Sequence, residues 1–175
     1  MMKLFSLLGL ILIVQDAALA NFSTSNTSSS IRVSHGECLV TSPDGSSSWQ
    51  NKRISISVRK NSDNEKEVFI HGTGAPNVEI LPEDLTLVSG AIRGSNSIDY
   101  QVESTFFSRF FNAEPEVKTI VQNSDVTIFN DLIRVETETI MDGRIISESA
   151  SCWLNRSLDI SSMLERIRIT RLPLR

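Results

Sequence analysis

The sequence predicts an all-β protein, a single antiparallel meander barrel or sandwich of about eight strands ending in a short C-terminal helix or strand. Three observations carry that expectation. The stretch from Leu132 to Trp153 joins two β-rich runs through Asp142-Gly143; apolar and polar residues alternate cleanly from Arg53 to Lys60 and again from Ile98 to Glu103; and clusters of Gly, Pro, Asn and Asp punctuate the chain between short apolar pieces. A length of 175 residues at 40% apolar content suits one domain with a real core.

The Asp-Gly turn sets the register of the first of these stretches. A type I′ turn needs positive φ at both central residues, and glycine takes that conformation without strain. With Met141 facing Arg144, the pairs that follow are Thr139 with Ile146, Thr137 with Glu148, Val135 with Ala150 and Ile133 with Cys152. Ile133, Val135, Ile146, Ala150 and Cys152 then share a core face, and Arg134, Glu136, Glu138 and three serines share a wet one. Glu148 is the charged exception inside. Leu132 and Trp153 are the apolar exceptions outside, which implies that other elements cover the ends of this hairpin. Glu136 and Glu138 sit among serines and read as surface charge rather than as a catalytic carboxylate pair.

Residues 1–20 combine Lys3, an apolar run from Leu4 to Val14 and an Ala18-Leu19-Ala20 ending, the pattern of a secretory signal peptide. The expected location is therefore secreted, extracellular or periplasmic, with no transmembrane helix left after cleavage. Residues 21–30 are polar and low in complexity, a flexible tail. Asn21, Asn26 and Asn155 each begin an Asn-x-Ser/Thr triplet, an acceptor for glycan only in a eukaryotic secretory pathway.

An exported chain with two cysteines predicts a Cys38–Cys152 disulfide that ties the start of the β-domain, residues 31–155, to its end. His35 precedes Cys38 by three residues, but His71 is the one other histidine in the chain, so neither a metal nor another cofactor is expected.

Between the cysteines the reading is strand after strand. Ser42-Pro43-Asp44-Gly45 makes a turn after a first strand, and Asn61 to Lys66 makes another before a strand from Glu67 to His71, in which either Val68 and Ile70 or Phe69 and His71 face the core. Gly72 to Asn77 is a loop with no helix after it to bind phosphate. Short apolar pieces flank Pro82-Glu83-Asp84. Gly90 to Ser97 reads as a loop, and Asn123-Ser124-Asp125 as a break between two strands. Phe106, Phe107, Phe110 and Phe111 fall within six residues, at spacings that fill a core or line an apolar ligand site.

Residues 156–175 form a basic C-terminal tail of net charge +3 on a body, residues 21–155, of net charge −7. Ile160, Met163, Leu164 and Ile167 have helical spacing, and Arg166, Arg168 and Arg171 are candidates for contact with an anionic surface. An overall charge of −4 argues against nucleic acid as the main partner. No nucleophile, base and metal constellation is legible. The function expected is a non-catalytic binding or envelope-associated module, for an apolar ligand, an anionic surface or a protein; the alternative is a secreted hydrolase or isomerase using carboxylates that meet only in space.

Overall fold

The computed structural model describes residues 28–104, apart from 62 and 64, and residues 116–172. The signal segment, Asn21, Asn26 and the four phenylalanines Phe106, Phe107, Phe110 and Phe111 lie outside the described residues. In chain order the elements are β1 (Ser28–Thr41), β2 (Ser47–Lys60), β3 (Lys66–His71), β4 (Val78–Ile80), β5 (Thr86–Val88), β6 (Ala91–Ser104), β7 (Glu116–Ile128), β8 (Leu132–Met141), β9 (Arg144–Leu154) and α1 (Ile160–Ile169). All strand pairs are antiparallel, in one sheet ordered β4-β3-β2-β1-β9-β8-β7-β6-β5. This is the predicted all-β meander with a short C-terminal helix, built as one curled sheet. Its two edges, β4 and β5, are consecutive in sequence, so the order is that of a closed meander barrel opened at a single place.

The β8–β9 hairpin has the register that its turn dictates, pair for pair from Met141 and Arg144 down to Leu132 and Trp153. Asp142 (φ 52°) and Gly143 (φ 74°) both take positive φ. Ile133, Val135, Ala150 and Cys152 are buried, while Arg134, Glu136 and Glu138 are exposed.

Three stretches depart from the sequence reading. Residues 91–97 and Asn123-Ser124-Asp125, both read as loops, lie opposite each other inside the β6–β7 ladder, through Ser95 with Asp125, Asn96 with Ser124 and Ser97 with Asn123. Polar side chains in these stretches bond one another and β4: Ser97 Oγ bonds Asn123 Oδ1 at 2.8 Å at an exposed position, and Asn96 Nδ2 donates to the Glu79 carbonyl at 2.7 Å. Ser28 to Ser30, from the stretch read as polar tail, pair with Ser57 to Arg59 of β2.

The Asn96 bond shows how far the sheet curls. β4 meets β6 and β7, and Gln122 Nε2 of β7 donates to the Asn77 carbonyl at 3.4 Å. Side-chain amides, in place of another strand, thus meet carbonyls along β4. β3 lies beneath this overlap and is buried on both faces, Val68 and Ile70 toward the core, Glu67 and Phe69 on the other side.

α1 completes the core from the stretch read as a basic tail. Asp159 caps it, its Oδ1 accepting from Ser162 N at 3.1 Å, and Ile160, Met163, Leu164 and Ile167 are buried with Leu158 just before them. Thr170 closes the helix through Arg166 O.

Cys38 and Cys152 face each other directly across β1 and β9, both fully buried, with Cα atoms 3.9 Å apart, and form the disulfide. The first and last strands therefore lie side by side. Gly36, two residues earlier on β1, sits where any Cβ would come within 2.4 Å of Trp153 O, so the close approach of the strands there requires glycine. A bond spanning 114 residues removes much of the freedom of the unfolded chain, about 4–5 kcal/mol in the loop-entropy account. Labelling the denatured, unreduced protein should find no free thiol, and a Cys38→Ala/Cys152→Ala variant should lose stability of that order. Two labelled thiols per chain would contradict the bond.

Candidate functional site

The seam between β1 and β9 also arranges the opposite side of the sheet. Because Cys38 points inward, its neighbours Glu37 and Leu39 point outward. Leu39 pairs with Trp49 of β2 on one side and Ser151 of β9 on the other, and Glu37 pairs with Asn51 and with Trp153. The chain's two tryptophans, remote in sequence, thus stand on one outer face across a single intervening strand. Their rings meet with centroids 5.3 Å apart and planes inclined by 43°. Leu39 is half-buried, yet Trp49 remains 63% and Trp153 44% exposed. Residues this large are ordinarily covered when a partner surface exists within the chain.

Short polar groups flank the indoles, and the half-buried Leu132 of β8 stands opposite Trp153. The next row of the same face is Ser47, Thr41 and Ser149, with Thr41 Oγ1 and Ser47 Oγ 2.9 Å apart in a hydrogen bond. Beyond β9, Arg134 stands beside Ser151 and Glu136 beside Ser149, and the two form an exposed ion pair at 3.0 Å. The sequence reading placed Trp153 on the outer face but had no signal for its partner. Only the β2–β1–β9 order, which the hairpin alone does not specify, brings Trp49 to it.

A second cluster lies where the sheet overlaps itself. Arg59 Nε donates to Glu67 Oε1 at 2.5 Å, its Nη2 donates to Glu79, and its guanidinium sits 3.9 Å from the Phe69 ring centre. His71 packs its ring 5.1 Å from that of Phe69. Burial pushes the Glu67 carboxyl above its usual range, with the Glu79 charge adding to the rise and the Arg59 hydrogen bond opposing it. Tyr100 of β6 is raised by burial and by the charges of Glu79 and Glu67. Two carboxylates, Glu67 and Glu79, meet in space here, and both are engaged by one guanidinium.

The arginines named from sequence are dispersed. Arg166, Arg168 and Arg171 are all exposed; Arg168 Nη2 also donates to the Leu85 carbonyl at 3.3 Å, and its own carbonyl accepts from Lys66 Nζ at 2.7 Å. Desolvation there holds the Lys66 amine below its usual range. An open hollow beside them is lined by Glu65, Lys66, Pro82, Glu83 and Arg168, and another by Leu87, Gly90, Asn130, Leu158 and the first turn of α1. The lining of neither hollow includes a residue of the tryptophan pair or of the Arg59 cluster. No helix among the described residues is long and apolar enough to cross a membrane. No protein-family model matches this chain, nor does any curated protein or solved structure.

Burial also raises the Glu148 carboxyl, the charged exception on the inner face of β9. For Glu67 and Glu148 the folded state holds the proton more tightly than the unfolded chain, whose value is near 4.5. Their stabilising contribution is complete below that value and is lost as pH rises through the folded values. Asp44, exposed in its turn and lowered by hydrogen bonds from Ser46, acts oppositely but below 3.8, outside this window. Urea unfolding should therefore show stability increasing as pH falls from neutral toward 4.5, and Glu148→Gln should flatten that slope while stabilising the protein at neutral pH. An unchanged slope in the variant would show that Glu148 titrates alike folded and unfolded.

Proposed function

We propose that this chain is an exported, non-catalytic binding module that attaches to material of the cell envelope or extracellular space through the outer face around Trp49 and Trp153. The exposed indole pair, in tilted contact, carries this reading: it presents a large apolar area at a rigid point of the sheet, next to the disulfide seam, where preorganisation lowers the cost of binding. Export is supported by the signal-like residues 1–20 and by a disulfide compatible with an oxidising compartment. Hydrolysis by paired carboxylates is less well supported, because Glu67 is buried and shares Arg59 with Glu79.

The arginine-bearing end supplies a subordinate attraction. Arg166 and Arg171 are exposed, and basic residues near an anionic membrane contribute about 1 kcal/mol each, within a Debye length of about 8 Å at physiological salt. Because α1 belongs to the core, this contribution is to be tested by Arg166→Gln and Arg171→Gln, and not by truncation.

The deciding experiment is co-sedimentation of the purified mature protein with the envelope fraction of its producing cells. Wild type should pellet, a Trp49→Ala/Trp153→Ala variant should stay in the supernatant with its melting temperature nearly unchanged, and the two arginine variants should differ from wild type only at low salt. Equal pelleting of wild type and the tryptophan variant would remove the face from consideration.

A further inference from the structure

We infer that the occupant of the Trp49–Trp153 face is a polysaccharide chain, recognised through the C–H faces of its pyranose rings; this rests on the contact face proposed above and names its ligand class. The argument starts from what the face offers. An indole carries a negative π-face that attracts polarised C–H groups, and it gives up little conformational entropy on binding. Two such rings with centres 5.3 Å apart span about the length of a sugar ring and the start of the next. Their 43° inclination suits successive rings of a single chain, each turned relative to the last, better than the flat face of a crystal.

The rim decides between chemical classes. A lipid or a hydrophobic protein surface would require an extended apolar area, and here the apolar part is a short row of the two indoles with the half-buried Leu39 between them and the half-buried Leu132 opposite Trp153. Around them the register sets Asn51 and Glu37 beside the rings, Ser47 and Ser151 on the adjoining positions, and Arg134 one strand further out. These are amide, carboxylate, hydroxyl and guanidinium groups, able both to donate to and to accept from equatorial hydroxyls. Strands spaced about 4.8 Å apart repeat them on the scale at which a sugar ring presents its own hydroxyls. An apolar face ringed by hydroxyls is the description of a pyranose, and the sheet presents its complement. Charges of both signs, Glu37 and Arg134 among them, make this rim a poor match for a uniformly anionic surface.

The test uses the mature protein and three kinds of target: peptidoglycan sacculi, chitin and amorphous cellulose as pure polysaccharides; envelope fraction digested with protease; and envelope fraction oxidised with periodate, which cleaves the vicinal diols of sugars. Wild type should be retained by at least one polysaccharide and by protease-treated envelope, and lost from periodate-treated envelope. Trp49→Ala and Trp153→Ala should each weaken retention by about tenfold, the scale of one lost aromatic contact, and binding should quench or shift the indole fluorescence of wild type. Loss of binding after protease but not after periodate would overturn the polysaccharide while leaving the contact face intact. Retention equal in wild type and both variants, or no retention on any target, would overturn the face and the ligand class together. Unchanged melting temperatures in the variants separate all of these outcomes from misfolding.

Discussion

Pairing β1 with β9 joins two open meanders, β4 to β1 and β9 to β5, into one sheet, and the Cys38–Cys152 bond lies within that seam. A four-stranded and a five-stranded piece would each expose an edge and half a core. Together they enclose Ile54, Ile56, Ile70 and Ile80 from one side with Ile92, Ile128 and Ile133 from the other, and α1 fills what remains. The seam also fixes the parity of the sheet. Cys38 inward forces Leu39 and Glu37 outward, so the buried disulfide and the exposed indole pair are two sides of one register.

The elements legible in the sequence were those whose local chemistry sets their geometry. Asp142-Gly143 admits essentially one tight turn, and ten pairs of the β8–β9 ladder follow from it. The spacing of Ile160, Met163, Leu164 and Ile167 made a helix legible there, beside the alternative of a strand; its Asp159 cap emerges only in the structure. Residues 91–97 and 123–125 were misread because serine, asparagine and aspartate are turn formers when nothing else engages them. Here each is opposite another polar residue, and the Asn96 side chain meets the β4 backbone, a long-range need that local propensity does not encode. For the same reason β3 could not be assigned an inward face: Val68 and Phe69 are both buried, because the sheet passes over itself.

The candidate site was the least legible part. Trp49 and Trp153 are separated by most of the domain, and they touch only once the first and last strands are neighbours. The cysteines held that information, since a bond between them makes β1 and β9 adjacent or opposed, but adjacency alone did not reveal that β2 follows on the far side. Arg168, read from its charge as a surface group, is exposed, and its bonds to the Leu85 carbonyl and, through its own carbonyl, to Lys66 are contacts that the charge alone did not reveal. Glu67 illustrates the reverse, an ordinary strand carboxylate that the overlap desolvates and Arg59 partly compensates.

The position of the break between β4 and β5 bears on how the chain assembles. Most ladders join strands adjacent in sequence, so each meander can form from short loops at small entropic cost. The β1–β9 ladder alone among them waits for nearly the whole chain. A polypeptide synthesised from its amino end delivers Cys38 long before Cys152, and its thiol has no native partner until the last strand arrives. During that interval β1 is an open edge with a reactive thiol on it. The polar face that β1 turns outward on either side of Leu39, with His35, Glu37 and Thr41, keeps that edge from being an attractive template for other chains while the hairpin that will close it is still being made.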